Sequence, residues 1–293
     1  MSKAKLVINA CAKINLGLRV LGKRSDGYHE IETLFQSIDL HDTLTLELTE
    51  SAEISLEISS PWALPKGQEN LVYRAAELIR ARFGIADGVH VRLEKRIPVG
   101  AGLGGGSSDA AATLVGLNEL FRLALNSAKL QELALQLGSD VPYFFVGGLC
   151  RGRGRGELLE KLPERLADHS FVLTMPPSSA LSTAEVYRHY DELCRQGWQP
   201  PPARLCEDID CANDLEDAAL ALCPALHALR KLLKELEPEL WGMSGSGPTY
   251  YAAWASSAKT QHAAQLLAHE HYAVYLARPT PRAISFAPSQ DVD

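Results

Sequence analysis

Residues Pro98 to Asp109 read PVGAGLGGGSSD, and the rest of the chain is best read outward from them. Five of these twelve residues are glycine. Alternating Val89, Val91 and Leu93 predict a strand before the stretch. Ala110, Ala111, Leu114, Val115, Leu117 and Phe121 predict a helix after it, over about 107–123. Glycine lets the backbone take positive φ and come close to a ligand. Successive free amides then face one concavity, and the helix start adds partial positive charge. The stretch reads as an anion cradle formed by Pro98, Val99, Gly100, Ala101, Gly102, Leu103, Gly104, Gly105, Gly106, Ser107 and Ser108. Ser107 also suits a helix N-cap, so its hydroxyl has a purely structural alternative. Asp109, one step further in, favours the helix dipole but repels phosphate; magnesium would reconcile the two, and a plain capping role is the alternative.

Familiar phosphate motifs do not fit. Gly100, Gly102 and Gly105 satisfy G-x-G-x-x-G, but a dinucleotide site needs a strand ending in an acid about 20 residues later. Here that stretch is helical, and Glu119 lies inside it. Gly100 and Gly105 have Walker spacing, yet Gly106 stands where the lysine belongs. The chain holds neither the H-R-D nor the D-F-G of protein kinases.

Composition narrows the class. With 293 residues and 46% hydrophobic content, the chain can bury a sizeable core and divide into two domains. The net charge of −7 argues against general nucleic-acid binding. Six scattered cysteines without ligand spacing read as reduced thiols, which suits a cytoplasmic protein. Asn9, Lys13 and Asn15 interrupt the first apolar stretch, so no signal peptide is expected. No run of 18 apolar residues predicts a membrane span.

Further from the loop, residues 5–20 alternate with period two and predict a strand. Strands are also predicted over about 31–38, 43–48 and 53–58. Leu71–Phe83 reads as a helix with Asn70 as N-cap and Gly84 as its stop. Another helix is expected over about 128–137. A composition change after Gly156 places a domain boundary near 160. The later half mixes strands (about 170–175 and 248–254) with helices (about 183–194, 214–234 and 257–270). The order predicts a two-domain α+β protein.

Several side chains invite chemistry. Lys13 and Asn15 share one strand face, with Gly17 leaving room beside them; a solvated strand lysine is the alternative. Asp140 lies between Gly138 and the apolar run from Val141 to Phe145, an expensive place for an unpaired carboxylate. An N-cap before Pro142 is its alternative role. Tyr28 and His29 follow the turn Ser25-Asp26-Gly27. Arg151, Arg153 and Arg155 alternate with glycines and read as solvated loop charges, with phosphate contact as the competing hypothesis. Gly245, Ser246, Gly247 and Pro248 form a second glycine turn, which could simply enter a strand.

The segments Ala12–Leu16, Pro98–Ser108, Gly138–Pro142 and Gly245–Pro248 together resemble the ordered motifs of the GHMP small-molecule kinases. Arg24–His29 with Leu34–Gln36 is similar to one branch of that superfamily. That branch phosphorylates the 2-hydroxyl of a methylerythritol carrying a cytidine diphosphate, in the non-mevalonate route to isoprenoids. The resemblance spans roughly residues 8–250 and implies a ribosomal S5 domain 2-like N-terminal domain (1–160) holding ATP and a ferredoxin-like C-terminal domain (161–293). It implies Lys13 and Asp140 as catalytic residues, the cradle as the ATP site, and Mg2+ arriving with the nucleotide, its protein ligands undetermined. It assigns Asn15, Tyr28, His29, Tyr187, Gly245, Ser246 and Gly247 to the acceptor substrate. Tyr28 and Tyr187 would sandwich the cytosine and His29 would hydrogen-bond it. Lys95 would line the adenine pocket. The chain would act as monomer or homodimer, without nucleic acid or membrane. A sister kinase for homoserine or a mevalonate-type alcohol, or a nucleotide-binding protein without catalysis, are the alternatives. Tyr28 and His29 argue against the first, since those substrates have no base to grip. Lys13 and Asp140 argue against the second.

Overall fold

The computed structural model describes residues 4–206 and 208–287; residues 1–3, 207 and 288–293 of the two expected domains lie outside them. Strands are β1 (Lys5–Lys23), β2 (His29–Thr49), β3 (Ile54–Ser59), β4 (Gly88–Glu94), β5 (Leu149–Gly154), β6 (Leu158–Lys161), β7 (Ser170–Met175), β8 (Leu205–Cys206), β9 (Ile209–Asp210), β10 (Leu240–Met243), β11 (Tyr250–Trp254), β12 (Ala273–Ala277) and β13 (Ile284–Phe286). Helices are α1 (Leu71–Phe83), α2 (Gly105–Leu120), α3 (Ser127–Leu135), α4 (Tyr143–Val146), α5 (Thr183–Arg195), α6 (Glu216–Leu222), α7 (Ala225–Glu235) and α8 (Ser257–His269).

β1 and β2 form the spine of a seven-stranded sheet. β13 flanks β1, while β2 pairs with β4 at one end and with β5 at the other. α1, α2 and α3 cover one face, burying Val72, Ile79, Ala111, Leu114 and Leu133 against Leu44, Leu46 and Val91. The second sheet is antiparallel in the order β10-β11-β7-β12. Its residues Phe171, Leu173 and Tyr251 share a core with Ala12, Ile14 and Leu16 of β1, so the two sheets meet directly. This is the α+β architecture expected of the kinase superfamily. The boundary expected near 160 falls at the end of β6, but β13 crosses back to pair with β1.

β1 changes phase along its length. The even-numbered Ile8 and Ala10 join the helix-side core, whereas the even-numbered Ala12, Ile14 and Leu16 join the core toward the second sheet. A register shift between Cys11 and Ala12 separates the two stretches. Such irregularities re-aim side chains, and here the shift frees Lys13 and Asn15 to face the start of α2. Gly17 has a different use from the expected one. A Cβ there would lie 2.0 Å from the Asp210 carbonyl oxygen, so Gly17 admits the β8–β9 hairpin rather than a ligand.

Local signals were faithful where caps were explicit. Asn70 Oδ1 accepts the Val72 amide at 2.9 Å, and Gly84 closes α1 in the left-handed region. Four expectations need correction. The strands expected at 31–38 and 43–48 are one strand, β2, pairing along its length with β1. The helix expected over 214–234 is two, α6 and α7, parted at Pro224, which has no amide to continue the first. α2 begins at Gly105 with Gly104 at its N-cap, so Ser107 lies inside the helix and caps nothing. Arg151 and Arg153 sit on a strand, β5, rather than in a loop.

Candidate active site

A cleft of about 1010 Å³ opens where β1, the start of α2, α5 and the 245–246 turn meet. Its construction begins with the glycine loop. Gly100, Gly102 and Gly104 all have positive φ, at 64°, 74° and 70°. A Cβ on Gly104 would lie 3.0 Å from Lys13 Cε and 2.9 Å from Phe144 Cζ, so glycine lets the loop close over the lysine stem. One on Gly102 would lie 2.2 Å from the Ser244 carbonyl oxygen, so the two glycine turns pack backbone to backbone. Ser244 Oγ donates to the Gly102 carbonyl at 2.9 Å and accepts the Asn15 amide at 3.1 Å, tying both turns to β1.

The loop delivers the free end of a 16-residue helix into the cleft. The first amide to find a partner within α2 is that of Ser108, bonded to the Gly104 carbonyl. The amides of Gly105, Gly106 and Ser107 have no acceptor among the described residues. Free amides at a helix N-terminus form an anion site. Ser108, expected in the cradle, does not line it. Its hydroxyl is turned away and bonds the Cys11 carbonyl at 2.7 Å.

Lys13 and Asp140 come together across 127 positions of sequence, with Lys13 Nζ 3.4 Å from Asp140 Oδ2. The Lys13 side chain is buried, and the ammonium also donates to Asn15 Oδ1 at 2.6 Å. Asn15 in turn donates to Thr33 Oγ1 at 2.8 Å, and Thr33 donates to the Gly17 carbonyl. This chain of bonds fixes the lysine and leaves one of its three N–H groups unclaimed by a protein acceptor. The Asp140 side chain keeps 36% of its surface exposed, open to the cleft.

Beside the cradle lies a charge cluster whose pairing the sequence did not announce; Lys95 and Asp109 line the cleft, and Asp42 does not. Lys95 Nζ donates to Asp109 Oδ2 at 2.7 Å and to Asp42 Oδ2, and Asp42 Oδ1 accepts the Ile97 amide at 2.9 Å. All three side chains are buried. Burial, reinforced by Asp42 against the pull of Lys95, pushes the Asp109 carboxyl up to about 8. Asp109 Oδ1 has no hydrogen-bond partner. The acid after the cradle therefore braces the loop. Leu64, Pro65, Leu71 and Leu93 add apolar surface to the cleft beside the loop, next to Glu69 and Asn70.

At the opposite end Tyr28, His29 and Tyr187 converge, but not as the expected sandwich. The His29 ring stacks on Tyr187 with centroids 4.8 Å apart, and the Arg155 guanidinium lies over the Tyr28 ring at 4.7 Å. Each ring thus has one face against a neighbouring side chain, and Tyr28 remains exposed. Burial, together with the nearby Asp140 carboxylate, pushes the Tyr187 hydroxyl well above its ordinary value. The three arginines part company. Arg151 pairs with Glu160 at 3.0 Å and Arg153 with Glu32 at 2.8 Å, while Arg155 lines the cleft. Gly245 and Ser246 line it as well; Gly247, expected with them, does not, and its amide closes the turn onto the Ser244 carbonyl.

Lys23, Asp191 and Arg188 also line the cleft and went unread in the sequence, because nothing local marks a charged residue as cleft-facing. The helical spacing of Tyr187 and Asp191, four apart, was the available signal. No group of three or more His, Cys, Asp or Glu residues gathers as a metal site among the described residues. Side chains with oxygens that line the phosphate end of the cleft include Asp140, Ser107, Asp109 and Ser139; Asp109 is held by the Lys95 cluster, whereas the Asp140 carboxylate and the Ser107 hydroxyl are not. Both suit a hard cation such as Mg2+, which keeps its own waters and phosphate ligands and needs few protein oxygens. No helix of the described residues is long and apolar enough to cross a membrane.

The family pattern described as "GHMP kinases N terminal domain" matches residues 70–148, the stretch that includes the cradle and Asp140. The chain is 46% identical to 4-diphosphocytidyl-2-C-methyl-D-erythritol kinase of Pelotomaculum thermopropionicum, over 84% of this chain and 88% of that one. Among solved structures, a 4-(cytidine 5'-diphospho)-2C-methyl-D-erythritol kinase superposes with a TM-score of 0.73 at 34% identity, covering 94% of this chain and 99% of the other. The homoserine kinase of Cytophaga hutchinsonii shares the fold, with a TM-score of 0.70 at 19% identity and 98% of each chain covered.

Proposed function

The chain belongs to the 4-diphosphocytidyl-2-C-methyl-D-erythritol kinases of the GHMP superfamily, and from that premise we propose how its cleft carries the reaction. The enzyme transfers the terminal phosphate of ATP to the 2-hydroxyl of 4-diphosphocytidyl-2-C-methyl-D-erythritol, giving the 2-phosphate and ADP in the non-mevalonate route to isoprenoid precursors. Phosphoryl transfer asks for in-line placement and for positive charge around the moving group. The free amides of Gly105, Gly106 and Ser107 receive the nucleotide's phosphates at the positive end of α2. The nucleotide base lies toward Leu64, Leu71 and Leu93, and the cytidine of the acceptor toward Tyr28, His29 and Tyr187.

The acceptor hydroxyl sits between the two ends, against Asp140 and Lys13. Asp140 takes or orients its proton, and the unclaimed N–H of Lys13 faces the transferred group. As the acceptor O–P bond forms, the bond to the leaving ADP oxygen breaks, and the hydroxyl proton passes to Asp140. Asp140 and Ser107 would be protein oxygens available to a Mg2+ brought by the nucleotide, which would supply charge neutralisation to the phosphates.

One observation carries this reading: a buried ammonium 3.4 Å from a cleft-facing carboxylate, both beside the free N-terminus of α2. The test is ADP release by the purified protein with ATP and the cytidylyl substrate, alongside homoserine and mevalonate as acceptors. Turnover restricted to the cytidylyl substrate is expected. Turnover of another alcohol, or ATP binding with no turnover of any acceptor, would overturn the proposal.

A further inference from the structure

Asp191 lies on α5, four residues after Tyr187, so both side chains fall on the helix face turned to the cleft. Its Oδ1 is 2.7 Å from His29 Nε2, and its Oδ2 accepts a hydrogen bond from Lys23 Nζ. Partial burial pushes the Asp191 carboxyl up, but the hydrogen bonds from Lys23 and His29 outweigh it and hold the group below its ordinary value. An ionised carboxylate only accepts hydrogen bonds, so His29 Nε2 carries the hydrogen that lies between them. In the neutral imidazole the remaining nitrogen, Nδ1, is then an acceptor. Nδ1 has no hydrogen-bond partner among the described residues, on a ring that lines the cleft and is held flat against Tyr187.

We propose that Asp191 is a positioning residue that fixes the tautomer of His29, so that the cleft offers a bare acceptor to a base bearing an amino group. Cytosine carries such a donor at its 4-position; uracil carries a carbonyl oxygen there, which would meet the lone pair of Nδ1. The inference rests on the reading that the acceptor's cytidine lies against His29. The other charged groups around the pair are Lys23, which holds the far oxygen of Asp191, and Arg188 on the same helix; Tyr190 meets the His29 ring edge-on at 6.0 Å. None of them supplies a second acceptor to Nε2, so the choice of tautomer falls to Asp191.

Asp191→Asn tests this with little change of shape. Lys23 can only donate, so it claims the amide oxygen and turns the amide N–H toward His29 Nε2. The ring must then accept at Nε2 and carry its hydrogen on Nδ1, reversing the polarity offered to the base. The measurement is competitive inhibition of turnover by cytidine diphosphate and by uridine diphosphate, for wild type and variant. In wild type the cytidine nucleotide should bind about tenfold tighter or more, since a mismatched polar pair in a binding site is costly. In Asp191→Asn the ratio should fall to about one or reverse, with KM for the cytidylyl acceptor rising about tenfold and KM for ATP unmoved. Long-range proton–nitrogen spectra of the histidine rings should show His29 Nδ1 bare in wild type and protonated in the variant. Three outcomes stay separable. A wild type that does not turn over the cytidylyl substrate rejects the function itself. A wild type that turns over but binds both diphosphates equally rejects base reading by His29, and this inference with it. A wild type that discriminates, with the ratio and the ring spectrum unchanged in Asp191→Asn, rejects the role of Asp191 alone.

Discussion

Replacing Lys13 with methionine keeps most of the side chain's volume and removes its charge. The ammonium lies 3.4 Å from Asp140 Oδ2 and, in the proposed mechanism, faces the phosphoryl group as it moves. A unit charge pair at that separation interacts by about 5 kcal/mol at an effective dielectric near 20. Asp140 is open to the cleft, and part of this attraction is already present in the ground state, so roughly 3–4 kcal/mol remains for the transition state alone. That corresponds to a fall in kcat of about two to three orders of magnitude. The fold should survive. Asp140 is exposed enough to be solvated without its partner, and the main structural loss is the 2.6 Å bond to the buried Asn15 Oδ1. An orphaned buried acceptor costs about 1–3 kcal/mol, or a few degrees to about ten degrees in Tm for a chain of this size. Steady-state ADP release at saturating ATP and acceptor, with a melting curve on the same sample, measures both effects. A folded Lys13→Met enzyme with kcat within tenfold of wild type would refute the assignment of Lys13 to the reacting phosphate.

Asp140→Asn should lower kcat by about 10²–10⁴-fold, the range for loss of a positioned base, with KM for ATP little changed; single-turnover rates check it. Arg155→Gln should raise KM for the cytidylyl acceptor and leave KM for ATP alone, whereas Arg153→Gln, whose guanidinium pairs with Glu32 outside the cleft, should change neither; equal effects of the two would remove Arg155 from the site. Ser108→Ala should lose about 1 kcal/mol of stability through the bond to the Cys11 carbonyl, measured by urea unfolding, while KM for ATP stays put. Asp109 titrates near 8 in the fold and near 4 in an unfolded chain, so between those values the folded state holds a proton that the unfolded state has released. Stability from this group therefore falls as pH rises from 4 to 8, and Asp109→Asn, always neutral, should remove that fall; urea midpoints across the window that keep the wild-type slope in the variant would contradict it.

The sequence by itself determined the elements whose signals are local. Five glycines between a strand and a helix specify a cradle, because only the backbone has to be free for it. Asn70 and Gly84 fixed α1 to the residue, because caps act within one turn. The tertiary structure alone decided which charges meet. Lys13 and Asp140 are 127 residues apart, and only the packing of β1 against the turn between α3 and α4 brings them within 3.4 Å. The phase change between Cys11 and Ala12 is invisible in an alternating string, since a register shift is a property of two strands and not of one. The same holds for Ser107 and Ser108: both read as cradle hydroxyls and Ser107 also as a cap, and the left-handed Gly104 settled where the helix begins and so which hydroxyl faces the cleft. Asp109 read as a helix-start acid, Lys95 as an adenine-pocket residue and Asp42 not at all, and only packing buried the three together. Short-range chemistry writes the parts of this enzyme in order along the chain; distance, burial and facing are long-range quantities, and the folded backbone sets them.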